Sequence, residues 1–338
     1  MKKRMSFCAV AIWCVTGALL SNSSAQAVKV IQPLLLAANQ GDHSLSLIDP
    51  TSGKQVAIVP VDGITGHEVA ASPDGKTAYV PIYGDSGVGR PGIDGTKISV
   101  IDLSSHEVVH TIDFGHGVRP HCAIYDHNSG LLYVTTELDK SVSIIDPSTF
   151  KIVGSIPTGQ EQSHMLVLSK DGSRGYTANV GPGTVSVLDM KARKTLAIIP
   201  ISKTTQRISI SMDDRMVFTA DQTQPQIAVI DTATSKVKMW VSLPSVGYGT
   251  APTLDGRFLL VALPRIKQIA VVDLSTMKVA QTIDIQGAAT EILMSPDGKV
   301  AFASCGGTHQ VVVIDLNQWK VRQTMDAGAG VDGLAWAN

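Results

Sequence analysis

Three histidines occupy the same position in three successive repeats of this chain. Each lies twelve residues before a tyrosine of the following predicted strand, in the pairs His67 and Tyr79, His121 and Tyr133, and His164 and Tyr176. Neutral imidazoles bind copper and zinc well, and three of them leave a coordination position open for water or substrate. Because packed sheets lie about 10 Å apart, the three rings must lean together to share one ion. The histidines are therefore a candidate copper or zinc site. The alternative is that the histidines are structural residues at the entry to the first strand of each repeat.

The same twelve-residue count identifies the equivalent residues of the other repeats. It gives Gln206, Tyr248 and Thr290, and the C-terminal strand contributes Asp332. If the first strand of each repeat is the innermost one, these four residues and the three histidines ring one mouth of a central channel. The candidate ligand-binding residues of this ring and its neighbouring loops are His43, Arg90, Gln206, Arg207, Tyr248, His309 and Asp332.

Seven aspartates define the repeat that must position these side chains. A run of alternating β-branched residues ends in aspartate at Asp49, Asp102, Asp146, Asp189, Asp231, Asp273 and Asp315. The steps between them are 53, 44, 43, 42, 42 and 42 residues. Because each aspartate starts a turn rich in serine and threonine, where a carboxylate accepts backbone N–H groups, we predict a structural role for all seven.

One repeat reads as four short strands joined by turns. In the second repeat the strands are predicted at residues 67–71, 77–81, 97–102 and 107–112, with a Pro73-Asp74-Gly75 turn after the first. No ten-residue helical period occurs between residues 28 and 338. Units of this length with four strands are typical of propeller blades. The sequence therefore predicts an all-β, seven-bladed β-propeller with four antiparallel strands per blade.

The two ends of the chain are predicted to close the ring together. The N-terminal repeat supplies strands at residues 33–38, 44–49 and 54–59 but lacks a first strand, and residues 331–337 supply one that is left over. Joining the C-terminal strand to blade one removes the open edges that a linear array would expose.

The first 27 residues are predicted to be a secretory signal peptide. Lys2, Lys3 and Arg4 precede an apolar stretch at residues 7–20, and Ala25-Gln26-Ala27 is a small-x-small cleavage signal. The mature protein then starts near Val28, forms one propeller domain over residues 28–338 and is periplasmic or secreted, without membrane insertion. It keeps 25 basic and 29 acidic residues, a net charge of about −4 that gives no indication of nucleic acid as a partner. Cys122 and Cys305 fall in different blades and are expected to be free thiols.

The repeats resemble the exported YVTN-repeat propellers, the YncE-like group. The resemblance rests on Tyr133-Val134-Thr135, on the Pro-Asp-Gly turns and on strand endings such as Val185-Ser186-Val187-Leu188-Asp189, and it covers essentially all of residues 28–338. It implies the propeller architecture and says little about function, because the motif residues are structural.

A shorter segment is similar to the seven-bladed lactonase family. Arg119-Pro120-His121 and Thr136-Glu137-Leu138 look like the Pro-Arg-His and Asn-Glu-Leu segments of that family, with the arginine displaced by one residue. The resemblance implies a hydrolase in which Arg119 holds a substrate carboxylate while His121 and Glu137 handle protons, with His67 completing the cluster.

The second repeat carries a glycine-rich insertion at residues 84–96, which is either a flap over the channel mouth or an ordinary surface insertion. Its Gly87-Val88-Gly89-Arg90-Pro91-Gly92 fits a dinucleotide-binding pattern only formally, because no helix follows. The chain has no Cys-x-x-Cys-His, nucleophile elbow or Walker loop, which argues against covalent haem and phosphate chemistry.

These observations favour a monomeric binding or accessory protein. Its partner would be a small molecule or a periplasmic protein that docks on the histidine-bearing face. A lactonase-like hydrolase and a copper or zinc protein are the alternatives.

Overall fold

The computed structural model describes residues 33–61, 63 and 65–338. Over these residues the chain forms seven four-stranded antiparallel sheets and one short 3-10 helix at Gly306–Thr308. The predicted all-β, seven-bladed propeller is confirmed. No helix within these ranges is long and apolar enough to cross a membrane. The predicted signal peptide and the mature start near Val28 lie outside the described residues.

Each blade consists of four consecutive strands, except the first. Blade 1 contains β1 (Leu34–Asn39), β2 (Ser44–Asp49) and β3 (Lys54–Pro60). Blade 2 contains β4 (Ala70–Ala71), β5 (Thr77–Gly84), β6 (Asp94–Asp102) and β7 (Glu107–Asp113). Blade 3 contains β8 (Pro120–Asp126), β9 (Leu131–Thr136), β10 (Ser141–Asp146) and β11 (Lys151–Pro157). Blade 4 contains β12 (Ser163–Leu168), β13 (Arg174–Asn179), β14 (Thr184–Asp189) and β15 (Lys194–Pro200).

The last three blades follow the same plan. Blade 5 contains β16 (Ile208–Ile210), β17 (Met216–Asp221), β18 (Gln226–Asp231) and β19 (Lys236–Ser242). Blade 6 contains β20 (Thr250–Pro252), β21 (Phe258–Leu263), β22 (Gln268–Asp273) and β23 (Lys278–Asp284). Blade 7 contains β24 (Glu291–Met294), β25 (Val300–Cys305), β26 (Gln310–Asp315) and β27 (Lys320–Asp326). The final strand, β28 (Val331–Ala337), returns to blade 1.

The seven aspartates hold the turn between the third and fourth strands of every blade. Asp146 Oδ1 accepts the Ser148 backbone N–H at 2.8 Å, and Asp273 Oδ1 accepts that of Ser275 at 2.8 Å. Four residues after each aspartate the backbone is left-handed, a conformation that only glycine adopts without strain. Six of the seven blades nevertheless have a residue other than glycine at this position, for example Phe150 (φ 57°). The carboxylate bonds offset that strain, so the predicted structural role of the aspartates is confirmed.

Ring closure follows the predicted scheme. The sheet of blade 1 has the order β28-β1-β2-β3, and the registers run from Leu34 opposite Ala337 to Asn39 opposite Val331. The indole N–H of Trp336 also donates to the Met294 carbonyl oxygen of blade 7 at 2.9 Å. The C-terminal strand therefore joins the first blade to the last.

The core lies between neighbouring blades. The second and third strands of each blade are buried along nearly their whole length, whereas the fourth strands alternate between exposed and covered residues. This pattern is expected when both faces of a sheet pack on adjacent sheets and only the outermost strand meets solvent. Cys122 and Cys305 are buried, free thiols in different blades, as predicted.

Two details of blade 2 differ from the sequence prediction. Strands β5 and β6 run on to Gly84 and back to Asp94, so the insertion is an extended hairpin whose loop spans only residues 85–93. The residues before the Pro73 turn form a strand of just Ala70–Ala71, with an isolated bridge from Gly66 to Ile82. The inserted residues extend β5 and β6 and pair with each other along the hairpin. The sequence did not predict these strand extensions, because the insertion is rich in glycine.

Removing residues 331–338 is expected to destabilise the whole ring, because β1 loses its only partner on the inner side and blade 7 loses the Trp336 contact. Thermal unfolding should start far lower than in the intact protein. A chain that lacks only Asn338 is the control, since Asn338 follows β28 and is exposed. Unchanged melting of the longer truncation would contradict closure by this strand.

Candidate functional site

The structure brings the predicted mouth residues together in series around the channel. The ring centroids of His67 and His121 are 5.2 Å apart, and those of His121 and His164 are 3.5 Å apart. The Gln206 amide hydrogen-bonds His164 Nε2 at 2.9 Å. If that nitrogen accepts, the His164 proton sits on Nδ1, which faces Glu137 Oε2 at 3.8 Å. We call His67, Tyr83, His121 and His164 the histidine face.

Tyr83 is the centre of this face, and the sequence did not single it out. Its ring, fully buried, lies 4.7 Å from that of His67, 5.4 Å from that of His121 and 5.9 Å from that of His164. Its hydroxyl donates to Glu137 Oε2 at 2.5 Å. Tyr83 reaches the channel because β5 continues past Pro81. The available signal was the apolar run Ile82-Tyr83 beyond the predicted end of that strand.

The imidazoles of the histidine face are neutral near neutral pH. Burial lowers the pKa of His67 to about 4 and holds the pKa of His121 well below its ordinary value. Burial also lowers the pKa of His164, although the nearby Glu137 carboxylate opposes the change. Each ring therefore keeps a nitrogen lone pair, and the Nδ1 atoms of His121 and His164 have no hydrogen-bond partner among the described residues.

Arg119 lies beside the histidine face, and its side chain is hydrogen-bonded to the insertion loop. Its Nε donates to Asp94 Oδ1 at 2.5 Å, and its Nη2 donates to the Arg90 carbonyl oxygen at 2.8 Å. The guanidinium lies 5.6 Å from the Tyr83 ring centre. The residue has a left-handed backbone (φ 48°). Arg119 thus anchors residues 85–93, and its role in holding a substrate carboxylate stays a prediction.

A buried charge cluster fills the channel next to the histidine face. Arg207 donates to Glu68 Oε1 at 2.6 Å and to Asp332 Oδ1 at 2.7 Å, and its Nη1 lies 3.5 Å from Glu291 Oε2. The four residues come from blades 5, 2, 1 and 7, so the cluster crosses the channel. Gly333 leaves the necessary space, because a Cβ there would lie 2.6 Å from Glu68 Oε2.

The cluster retains a proton. Burial raises the pKa of Glu68 well above its usual value and that of Glu291 to about 7, despite the attraction of Arg207. Three carboxylates beside one guanidinium cannot all ionise cheaply in a dry channel. Glu68 and Glu291 were missed by sequence reasoning, although both lie one residue after a mouth position, as Arg207 does. Charges of opposite sign at that shared position were the signal.

The other predicted ligand-binding residues are placed less centrally. His43 and His309 are exposed and left-handed (φ 49° and 57°) in turns between second and third strands, where Lys140 and Lys267 stand in other blades. Arg90 is exposed in the insertion loop. Tyr248 is half-buried, with its ring centre 5.8 Å from the Arg207 guanidinium.

The three-histidine copper or zinc site stays a prediction. The histidines are neighbours, but within the described ranges no group of three or more His, Cys, Asp or Glu side chains is arranged to hold a metal ion. The His121 and His164 rings pack against each other, so a shared ion would require them to separate.

A cleft of about 450 Å³ opens beneath the insertion loop, beside Glu137 and Arg119. A groove of about 530 Å³ lies between blades 6 and 7, but the Asp255 and Asp297 carboxylates that line it are bonded within their own turns. The chemistry of the site therefore lies with the first cleft and the histidine face.

Comparison with known proteins supports the fold and adds one family match. The family model described as the cytochrome d1 haem domain matches residues 126–253, which run from the end of β8 to just past β20. That segment includes Glu137, His164, Gln206 and Arg207, whereas the rest of the histidine face precedes it. No curated protein sequence matches the chain.

Three solved structures are similar to this chain over most of its length. Hydrazine synthase of Kuenenia stuttgartiensis has 18% identity and a TM-score of 0.67, covering 79% of this chain and 88% of its own. A functionally unknown protein from Desulfotomaculum acetoxidans DSM 771 has 11% identity and a TM-score of 0.75, covering 90% and 99%. The dihydro-haem d1 dehydrogenase NirN in complex with DHE has 15% identity and a TM-score of 0.65, covering 89% and 74%. At these identities the likeness concerns the fold alone.

Replacing Arg207 by methionine is expected to destabilise the protein by about 3–5 kcal/mol, because three carboxylates then face one another without a cation. The denaturant midpoint measures the loss. Arg215→Met is the matched control, since Arg215 is exposed and, among the described residues, its side chain pairs only with Asp213 at 3.8 Å; it should change stability by less than about 0.5 kcal/mol. If Arg207→Met fails to fold, adding Glu68→Gln and Glu291→Gln should restore folding. An undiminished midpoint in Arg207→Met would refute the role of the cluster.

Glu291→Gln is expected to change how stability depends on pH. A carboxyl whose folded pKa is raised contributes stability below its unfolded pKa of 4.5, and that contribution is lost as pH rises through about 7. The variant lacks this titration, so relative to the wild type it should gain on the order of 2 kcal/mol between about pH 5 and about pH 8. Denaturant unfolding at both pH values measures it, with the exposed Glu161→Gln as control. Parallel pH profiles of variant and wild type would count against the raised pKa.

Proposed function

We propose that the protein is an exported, periplasmic binding or accessory propeller whose ligand docks on the histidine face. The observation that carries this proposal is the cluster of three neutral imidazoles around Tyr83 at the channel mouth, in which the half-buried His67 has no side-chain hydrogen bond to any described residue. Buried polar groups are normally satisfied, so unmet capacity concentrated in one place is typical of a ligand site. Export is supported by the charged start, the apolar stretch and the Ala25-Gln26-Ala27 signal.

The ligand class we propose is a haem-type tetrapyrrole. The family match over residues 126–253 is to a cytochrome d1 haem domain, and the NirN structure is a complex with DHE. Because the sequence has no Cys-x-x-Cys-His, binding would be non-covalent. When bound, such a group supplies a redox-active iron.

The residues of the histidine face fit an iron ligand at one position. His67 is only half-buried, neutral near neutral pH and without a side-chain hydrogen bond to any described residue, so its lone pair is available to iron. His121 and His164 are more deeply buried than His67. Tyr83 supplies an aromatic surface behind His67.

The charge cluster limits how deep such a ligand could enter. Glu68, Glu291 and Asp332 are held by Arg207 across the channel, so the place left for a ligand is the mouth. Arg90 on the insertion loop is exposed and has no ion-pair partner among the described residues, so it would be available to an acidic side chain of the ligand.

The geometry supports binding more than a lactonase-like reaction. That reaction needs Arg119 to hold a substrate carboxylate, and its guanidinium is instead paired with Asp94 and the Arg90 carbonyl oxygen. The expected proton-handling groups, His121 and Glu137, are both buried, at 1% exposure each. Turnover would require the insertion loop to release Arg119.

The protein purified from the periplasmic fraction is expected to bind haemin one to one and to shift its Soret band. The mass of the same purified protein shows whether the chain is cleaved near Val28. His67→Ala should weaken binding by roughly tenfold or more and change the spectrum, because the iron ligand is lost. His127→Ala is the control, since His127 is exposed and lies on a turn after β8. Absence of a Soret shift, or equal binding by the His67 variant, would overturn the haem proposal, and the metal content of the same preparation reports a copper or zinc site instead.

A further inference from the structure

The hydroxyl of Tyr83 makes a contact that haem binding on the histidine face does not use. It donates to Glu137 Oε2 at 2.5 Å, within the range typical of a hydrogen bond from a hydroxyl to an ionised oxygen. All six tyrosines of the chain lie among the described residues, and Tyr83 is the one whose hydroxyl donates to a carboxylate. Tyr83 and the Glu137 side chain are both 0% exposed, so bulk water does not reach this bond.

The Glu137 carboxylate is in the state that can take up a proton. Its Oε2 faces the Tyr83 hydroxyl and, at 3.8 Å, Nδ1 of His164, and both of these groups can donate. A proton on Oε1 would have no acceptor, because this buried oxygen has no hydrogen-bond partner among the described residues. Burial raises the pKa of Glu137, but the contacts with His164 and Tyr83 outweigh it and hold the pKa below its usual value. Glu137 can therefore act as a base along a hydrogen bond that already exists.

The ring of Tyr83 connects this buried pair to the channel mouth. Its centroid lies 4.7 Å from that of His67, the least buried member of the histidine face. An electron can pass from Tyr83 to a group at the mouth across this single contact. The Arg119 guanidinium lies 5.6 Å from the centre of the Tyr83 ring, and its charge opposes a second positive charge on that ring. Loss of an electron from Tyr83 must therefore be accompanied by loss of its hydroxyl proton, which leaves the ring neutral.

We propose that Tyr83 is a redox-active residue that gives one electron to a metal-centred oxidant at the channel mouth and its proton to Glu137. The O–H bond of Tyr83 breaks, and the proton forms a new bond to Glu137 Oε2. Tyr83 becomes a neutral phenoxyl radical, Glu137 becomes a neutral carboxylic acid, and the oxidant is reduced by one electron. The oxidant belongs to the class of transition-metal complexes whose reduction potential exceeds that of tyrosine. Transfer of one electron back to Tyr83 returns the proton and restores both groups.

This activity goes beyond the proposed haem binding and does not depend on it. The oxidant has to contact the channel mouth, but it does not have to be coordinated by His67. The ring of Tyr83 faces His67 while its hydroxyl faces Glu137, so the group that releases the proton is separate from the proposed iron ligand. Radical formation is measured without haemin, and haemin binding is measured without an oxidant. The two proposals can therefore fail separately.

Photo-oxidation of the purified protein tests the activity, with ruthenium tris-bipyridine and persulfate generating the oxidant. Electron paramagnetic resonance of rapidly frozen samples detects the radical, and ring-deuterated tyrosine distinguishes a tyrosyl signal from a tryptophanyl one. The wild type is expected to give a tyrosyl radical that Tyr83→Phe loses. Tyr133→Phe is the matched control and should keep the signal, because Tyr133 is buried in the next blade and its hydroxyl donates to no carboxylate among the described residues.

Glu137→Gln should slow formation of the radical by at least roughly tenfold, because an amide oxygen is a much weaker base than a carboxylate. Glu161→Gln is its control, since Glu161 is exposed and pairs with Lys140 at 2.9 Å. If either variant does not fold, electron–nuclear double resonance of the wild-type radical decides the matter, and it should show one exchangeable proton hydrogen-bonded to the phenoxyl oxygen. A radical without that proton, no tyrosyl radical in the wild type, an equal yield in Tyr83→Phe or an equal rate in Glu137→Gln would each overturn the proposal.

Discussion

Strand β28 pairs with β1, and most of the other features of the molecule depend on that pairing. It completes blade 1, seals the ring against blade 7 and removes the free inner edge of β1. It also carries Asp332 and Gly333 to the channel, where the first meets Arg207 and the second leaves room for Glu68. A chain that closes by exchanging its ends in this way places residues more than one hundred positions apart in contact. The central charge cluster cannot form until the ring has closed.

The closed ring forces polar side chains into a narrow, dry space, and the protein resolves the conflict in two ways. In the charge cluster, Arg207 offsets the carboxylates, and burial raises the pKa of Glu68 and of Glu291, so that the cluster retains a proton. On the histidine face no cation is needed, because burial keeps His67 and its neighbours neutral. One half of the channel is therefore held by charge pairing and the other by stacked neutral rings. On the histidine face, His67 keeps a neutral ring without a side-chain hydrogen bond to any described residue, which is why we place the ligand there.

The comparisons separate architecture from chemistry. A solved structure with only 11% identity shares the fold. A blade is specified by its turn residues and its alternating strand residues, and the other positions can change without loss of the fold. The match to the cytochrome d1 haem domain stops short of His67, Tyr83 and His121. The part of the site that distinguishes this chain thus comes from blades 2 and 3, where the insertion hairpin delivers Tyr83 and its loop engages Arg119.

The sequence alone determined the seven blades, the closure by the last strand and the register of the mouth residues. Each of these follows from short, repeated patterns: alternating β-branched residues, aspartate-led turns and a constant spacing. It also placed the three histidines on neighbouring blades. What it left undecided were side-chain directions, so the bonds of Arg119 to the insertion loop were not anticipated, and Tyr83, Glu68 and Glu291 went unnoticed. Those outcomes depend on contacts across the channel axis between blades distant in sequence, which no local pattern encodes and only the closed tertiary structure decides.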